Sequence, residues 1–461
     1  MNHYQLIVIG AGPGGYTAAL HAAELGLHTA VVESQDVGGT CLNRGCVPTK
    51  ALLHAAQIYQ QARNGENAGI LARDLQVDLA AMFARQRQIS QKLRTGIEGL
   101  LQSAKVDLIR GVASILGPGC LRVQGEENRE TLVHADRILV ATGSVPARPP
   151  IPGLALSGVM TSDELLQGTD RLYRSILILG GGVIGVEFAS FYSQLGCQVT
   201  VIEGLDRLLP NLDRELGQNL AQHMKKQGVR IHTNSMVKQV EQGPEGWTVS
   251  FYTKDSLQAV SGEAVLCAIG RRPYWEGLFP ADCQPELDGS RIRVNDRFET
   301  SIDGVYAIGD VASPIQLAHV AAAQGTACVD LMCARENTVD LAIVPSCIYC
   351  HPEIAVVGLT ESQAKEAGLP ARTGKCVLFS NARTMISDPG RCFMKIVANA
   401  ETHEIIGAQL MCEHSTDVIS QISQAMANHL TAEQLLLAMR PHPTYEEAMT
   451  DALTDLVRKL S

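Results

Sequence analysis

The 461-residue chain is 46% hydrophobic and carries a formal net charge of −10. That length exceeds what one core supports, so about three domains are expected, and the acidic balance argues against nucleic acid or an anionic membrane as partner. The first apolar run, residues 6–9, stops at Gly10, far short of the ~20 residues of a membrane span, so a mature cytoplasmic protein is expected.

Residues 6–9 have the continuous apolar pattern of a central strand in a parallel sheet. They enter Gly10-Ala11-Gly12-Pro13-Gly14-Gly15, residues 18–25 read as helix, and residues 29–32 are the next strand, closed by Glu33. This is a β-α-β unit with the dinucleotide fingerprint. Gly12 lets the backbone approach a pyrophosphate at a helix N-terminus, and Glu33 is placed to bond a ribose.

Next come Gly39-Thr40-Cys41-Leu42-Asn43-Arg44-Gly45-Cys46-Val47-Pro48-Thr49-Lys50. This spacing is not that of a zinc ribbon, and no second pair or histidine follows at ligand distance, so no metal is expected. Pro48 suits an early helical position, which puts Cys46 at a helix N-terminus where free N–H groups favour a thiolate. Lys50 follows one turn later on the same face. The plainer alternative is two buried structural thiols. The same alternative applies to most of the thirteen cysteines, since nothing directs the chain to an oxidising compartment.

Residues 80–103 look helical and residues 106–140 alternate like a small sheet. Leu139-Val140-Ala141-Thr142-Gly143 and Leu266-Cys267-Ala268-Ile269-Gly270 read as strands ending in glycine turns, where the chain passes from one nucleotide fold to another. The proline-rich residues 146–152 read as a connector. Between those points the first unit recurs: residues 176–179 lead into Gly180-Gly181-Gly182-Val183-Ile184-Gly185, and residues 199–202 end at Glu203. A carboxylate there bonds a 2′-hydroxyl and repels a 2′-phosphate, so NAD is expected over NADP, with Arg207 as a counter-signal.

From about residue 340 the pattern changes to strands (343–357, 374–379, 391–398, 405–412) followed by helices. Cys347-Ile348-Tyr349-Cys350-His351 matches a haem-attachment pattern by letter but lies in a strand-like region without an export signal, so buried or partly buried thiols are expected. Near the end, Pro441-His442-Pro443-Thr444-Tyr445-Glu446-Glu447 holds a histidine between prolines. Glu447 has two readings. It is the third residue of a capping box begun by Thr444, or it orients His442 as a general base.

Together these motifs resemble the pyridine-nucleotide disulfide oxidoreductase family, most of all its dihydrolipoamide dehydrogenases. The resemblance runs essentially end to end and adds Ala307-Ile308-Gly309-Asp310, His351-Pro352-Glu353 and Val357-Gly358. It implies an α/β fold with two Rossmann-like dinucleotide-binding domains plus a C-terminal α+β dimerisation domain. The implied layout is residues 1–145 and 266–338 for FAD, 146–265 for NAD and 339–461 for the interface. It implies FAD held by Gly10, Gly12, Gly14, Gly15, Glu33, Gly39, Thr40, Lys50, Thr142, Gly143 and Asp310, NAD held by Gly180, Gly182, Gly185 and Glu203, and Gly270 as a further cofactor-binding residue. By the same resemblance Cys46 faces the flavin, Cys41 exchanges with substrate and Lys50 pairs with Glu187. His442 and Glu447 reach across a homodimer.

The implied reaction oxidises dihydrolipoyl groups on a carrier protein of a 2-oxoacid dehydrogenase or glycine cleavage system and reduces NAD. Glutathione reductases usually carry Tyr where Val183 stands and Arg where Leu20 stands. Arg440 departs from the histidine many lipoamide dehydrogenases have there. The alternatives are a reductase of another small disulfide or a metal ion, and a nucleotide-binding redox sensor or scaffold.

Overall fold

The computed structural model describes residues 3–125, 129–169, 171–244, 246–254, 256–337 and 339–461. Strand His3–Ile9 lies between Thr29–Glu33 and Glu130–Val140, parallel to both. Its apolar run is continuous because both faces are covered. Leu6 and Val8 pack under helices Pro13–Glu24 and Ala318–Met332. Tyr4, Ile7 and Ile9 pack against residues of the antiparallel strands Val112–Gly117, Cys120–Gln124 and Glu130–Val140. The two helices meet at backbone distance: a side chain on Gly325 would lie 2.6 Å from the Gly14 carbonyl oxygen.

A second parallel sheet runs Arg230–His232, Gln198–Ile202, Ser175–Leu179, Ala264–Cys267, Val159–Met160, with an antiparallel three-stranded sheet, Ser235–Gly243 to Ser256–Gly262, beside it. The two glycine turns at which the chain changes fold are tied together. Past Gly143, strand Ser144–Pro146 pairs antiparallel with Arg271–Pro273, just past Gly270. The chain then returns to the first sheet, where Val305–Ala307 lies parallel to Glu130–Val140.

The C-terminal part is an antiparallel sheet in the order Ser346–Ile348, Ile354–Gly358, Ile405–Met411, Phe393–Asn399, Ala371–Val377. Helices Ser415–Ala427 and Glu447–Leu460 cover one face. The expected strand over 343–357 is two strands instead, Ser346–Ile348 and Ile354–Gly358, paired antiparallel across the turn between them. Among the described residues no helix is long and apolar enough to cross a membrane.

Candidate active site

The dithiol segment is shaped by glycines. Gly38 and Gly39 take φ of 90° and 56°, a region side chains avoid, and open the short helix Gly39–Asn43 that carries Cys41. Helix Cys46–Arg63 then begins at Cys46 itself, so its first amides have no partner within the helix. Cys41 and Cys46 are free thiols here. The hydrogen bond from the Cys41 thiol, with the Lys50 charge behind it, brings Cys46 down to about 7 against the opposing effects of burial and Glu187. Cys41 moves the other way, because it gives that hydrogen bond and is itself partly buried. Cys46 is therefore the thiolate of the pair.

Lys50 Nζ donates to both carboxylate oxygens of Glu187 at 2.9 Å. Glu187 lies on helix Val183–Gln194 and is almost fully buried, so its charge needs this partner. The Tyr349 amide donates to the same carboxylate at 3.1 Å, and its ring lies 4.7 Å from Lys50 Nζ. Three distant stretches thus fix one cation beside the dithiol.

Both nucleotide turns have the same construction. A side chain on Gly15 would come 1.8 Å from the Gly10 oxygen, and one on Gly185 1.9 Å from the Gly180 oxygen. A side chain on Gly10 or Gly180, at φ 101° and 108°, would stand 2.5 Å from the Ala141 carbonyl oxygen and 2.4 Å from that of Ala268, respectively. Glu33 accepts from the Ala11 and Gln35 amides, both at 2.7 Å. Glu203 accepts from the Gly181 and Leu205 amides at 2.5 and 2.8 Å. Each carboxylate is held rigid at the end of its second strand with lone pairs left for a ribose. Arg207, the counter-signal for a 2′-phosphate, is occupied by Asp206 and the Pro210 carbonyl.

One cavity of ≈ 2570 Å³ joins the two turns past the dithiol. Gly10, Gly12, Gly14, Glu33, Gly39, Thr40, Cys41, Cys46, Lys50, Thr142, Gly143, Gly180, Gly182, Glu187, Glu203, Gly270 and Asp310 all line it. Gly15 and Gly185 do not; they act by letting helix and strand close up. This bare-backbone trough fits two dinucleotides, since Gly12 and Gly39 approach so closely that a side chain on Gly39 would stand 2.8 Å from the Gly12 Cα.

Beside Asp310, several lining residues carried no local signal in the sequence, among them Ser144, Asp163 and Arg271. Ser144 donates to Asp310 at 2.5 Å and accepts from Arg271 Nε at 2.8 Å, while Arg271 also donates to the Ser144 carbonyl at 2.6 Å. Burial pushes the Asp310 carboxyl up, with Ser144 and Arg271 opposing. Asp163 is likewise raised by burial, and Arg44, from between the two cysteines, lies 3.8 Å from it. The Gly309 amide donates to Gln324 at 2.8 Å.

His442 and Glu447 are not brought to the dithiol; neither lines the cavity of their own chain. His442 is exposed, with Nδ1 2.9 Å from Glu447 Oε1, and the other oxygen of Glu447 accepts the Thr444 amide at 3.0 Å. The capping-box expectation is corrected. Glu447 is the first residue of helix Glu447–Leu460, not the third, and the Thr444 hydroxyl donates to Pro441 instead of capping the helix. The carboxylate thus serves as turn anchor and histidine partner together. Arg440 also lies away from the cavity, donating to Leu435, Ala438 and Thr450 of its own domain.

The cysteines of the haem-like motif part company. Cys347 faces the Thr416 carbonyl and the cavity, while Cys350 is buried against Pro352. Among the described residues no group of three or more His, Cys, Asp or Glu is placed to hold a metal ion.

The family model for pyridine nucleotide-disulphide oxidoreductases matches residues 4–325, and that for their dimerisation domain matches residues 344–453. A dihydrolipoyl dehydrogenase of Bacillus subtilis is 36% identical, covering 97% of this chain and 97% of that protein. Among solved structures, LpdA from Mycobacterium tuberculosis superposes with a TM-score of 0.90 at 28% identity, covering 99% of this chain and 100% of that one. The Cu(II) complex of the HOCl-induced flavoprotein disulfide reductase RclA from Escherichia coli gives 0.87 at 29% identity, covering 98% and 99%.

Proposed function

The chain belongs to the pyridine nucleotide-disulphide oxidoreductase family, and from that membership we propose that it is a dihydrolipoamide dehydrogenase. The enzyme is a flavoprotein disulfide oxidoreductase whose cofactors are FAD and NAD. The observation that carries the finer reading is the Cys41–Cys46–Lys50–Glu187 constellation at the junction of two nucleotide turns, together with end-to-end similarity to a dihydrolipoyl dehydrogenase.

In this reading Gly10 to Gly15, Glu33 and Asp310 hold FAD, and Gly180 to Gly185 with Glu203 hold NAD. FAD, when bound, supplies a two-electron carrier between the dithiol and the nicotinamide. The chain's own residues manage sulfur and protons. The substrate's first thiolate attacks Cys41 of the Cys41–Cys46 disulfide, forming a mixed disulfide and releasing Cys46 as thiolate. The second substrate thiol then attacks its own sulfur in that mixed disulfide, which frees Cys41 and leaves the substrate as disulfide. His442 of a second copy takes the thiol proton, with Glu447 fixing its ring. Lys50 compensates the charge left on Cys46. The exposed His442 suits a lipoyl group brought on a long arm by another protein.

The likeness to RclA favours one other reading, reduction of a different small disulfide or of a metal ion at the same thiols. The deciding experiment is NADH formation from NAD and dihydrolipoamide by purified, FAD-loaded protein. Sustained turnover supports the dehydrogenase. A yellow protein inactive in that assay, yet able to oxidise NADH with Cu(II) or another disulfide, sinks it.

A further inference from the structure

Two cysteines that the dithiol chemistry leaves unused face each other at the open end of a hairpin in the C-terminal sheet. Strands Phe393–Asn399 and Ile405–Met411 run antiparallel with Phe393 opposite Met411. One rung further stand Cys392 and Cys412. The rung continues through the neighbouring strands, for the Cys412 amide donates to Glu353 at 3.1 Å and the Cys392 carbonyl accepts from Leu378 at 3.0 Å. The backbone groups of both cysteines therefore point away from each other, towards the outer strands. That makes them a non-hydrogen-bonded pair, the arrangement in which opposite Cα atoms lie about 4.5 Å apart and side chains are closest.

The side chains also share a face. Phe393 and Met411 pack in the core towards the second nucleotide fold, whereas Cys392 and Cys412 join Met394 and Leu410 under the C-terminal helices. A Cα separation near 4.5 Å falls within the disulfide range of about 4.4–6.8 Å.

We propose that Cys392 and Cys412 are a second redox pair, which a hydroperoxide closes into a cross-strand disulfide. One thiol gives Cys–SOH as the peroxide O–O bond breaks and leaves as alcohol or water. The other thiol attacks that sulfur, forms the S–S bond and releases water. The two thiols lose two electrons in all, and the peroxide gains them.

The kinetic order follows from the surroundings. Both residues are buried, 1% and 0% exposed, and burial raises Cys392 to about 12 and lifts Cys412 well above the usual thiol range. Cys46, held near 7 in an open cavity, reacts first, so the second pair responds to sustained oxidant. Closure would staple the site where Glu413, next to Cys412, accepts from Tyr445 at 2.8 Å. Tyr445 also bonds Ser387 and anchors the segment that carries His442. The crosslink thus locks the arm that the proposed chemistry needs, without touching the reacting atoms.

The test uses wild-type protein, reduced and then titrated with hydrogen peroxide. Remaining thiols are alkylated after denaturation, and the protein is digested without reductant for peptide mass mapping. A linked Cys392–Cys412 peptide accumulating after the Cys41–Cys46 bridge is the expected result. Recovery of both residues as alkylated thiols, or bridged to other cysteines, once Cys41 and Cys46 are fully oxidised overturns the proposal. A Cys392→Ala, Cys412→Ala double variant adds a second readout. The wild type should gain a few degrees of thermal midpoint on peroxide treatment and the variant should not; an equal gain in both also overturns it.

Discussion

His442 Nδ1 lies 2.9 Å from Glu447 Oε1, while the other oxygen of the same carboxylate takes the Thr444 amide at 3.0 Å. One side chain therefore fixes both the turn and the imidazole, leaving Nε2 to face outward. The Thr444 amide, then His442, hold the Glu447 carboxyl below the usual range. Replacing His442 by Ala should lower kcat with dihydrolipoamide roughly 100- to 10,000-fold, the usual worth of a general base. FAD content should be unchanged. Glu447→Gln should cost less, because the amide can still take the Thr444 amide while the imidazole loses its charged partner; a kcat equal to the wild type would reduce Glu447 to a turn anchor.

Cys46 should titrate near 7 in the reduced enzyme. Because its value is lowered, the thiolate is present above that pH and lost as pH falls through it. The rate of iodoacetamide labelling of Cys46 against pH measures this directly. Cys41→Ala should move the midpoint up most, since the Cys41 hydrogen bond is the largest stabilising cause, and Lys50→Met should move it up less. A midpoint that neither change raises would contradict the assignment.

The two glycine turns should fail separately. With only 1.9 Å between a new Cβ and the Gly180 oxygen, Gly185→Ala should raise KM for NAD while the protein stays yellow. Gly15→Ala, at 1.8 Å from Gly10, should instead lose FAD. Flavin absorbance of the purified variants, with the KM for NAD, distinguishes the pair.

NAD should be used in preference to NADP, because Glu203 closes the end of its strand with a fixed carboxylate and Arg207 is already engaged. Glu203→Gln removes the charge that repels a 2′-phosphate. The kcat/KM ratio of NAD to NADP should fall by roughly tenfold, about the effect of 1.4 kcal/mol. An unchanged ratio would remove Glu203 from nucleotide choice.

What was legible in the sequence is what local geometry dictates. Gly10, Gly15, Gly180 and Gly185 stand where a Cβ meets a backbone oxygen, and that demand is written in consecutive residues. The start of a helix at Cys46 followed from Pro48. Ser144, Arg271 and Asp310 were harder to link, because they meet only after the chain has built a whole second fold between them. Glu447 was misplaced within its helix because Thr444, the apparent cap, turns its hydroxyl back to Pro441. Cys392 and Cys412 face each other only through a register that the sequence does not state.

Cys41 and Cys46 line a cavity that His442 of the same chain does not reach, so the proposed chemistry needs His442 from a second copy. This requirement is tested by co-expressing a His442→Ala chain with a differently tagged Cys46→Ser chain and purifying the mixed dimer. Both parental homodimers should lack dihydrolipoamide–NAD activity. The mixed dimer, with one complete site assembled from two chains, should recover about half of the wild-type rate. A mixed dimer as inactive as its parents would contradict a site shared between subunits.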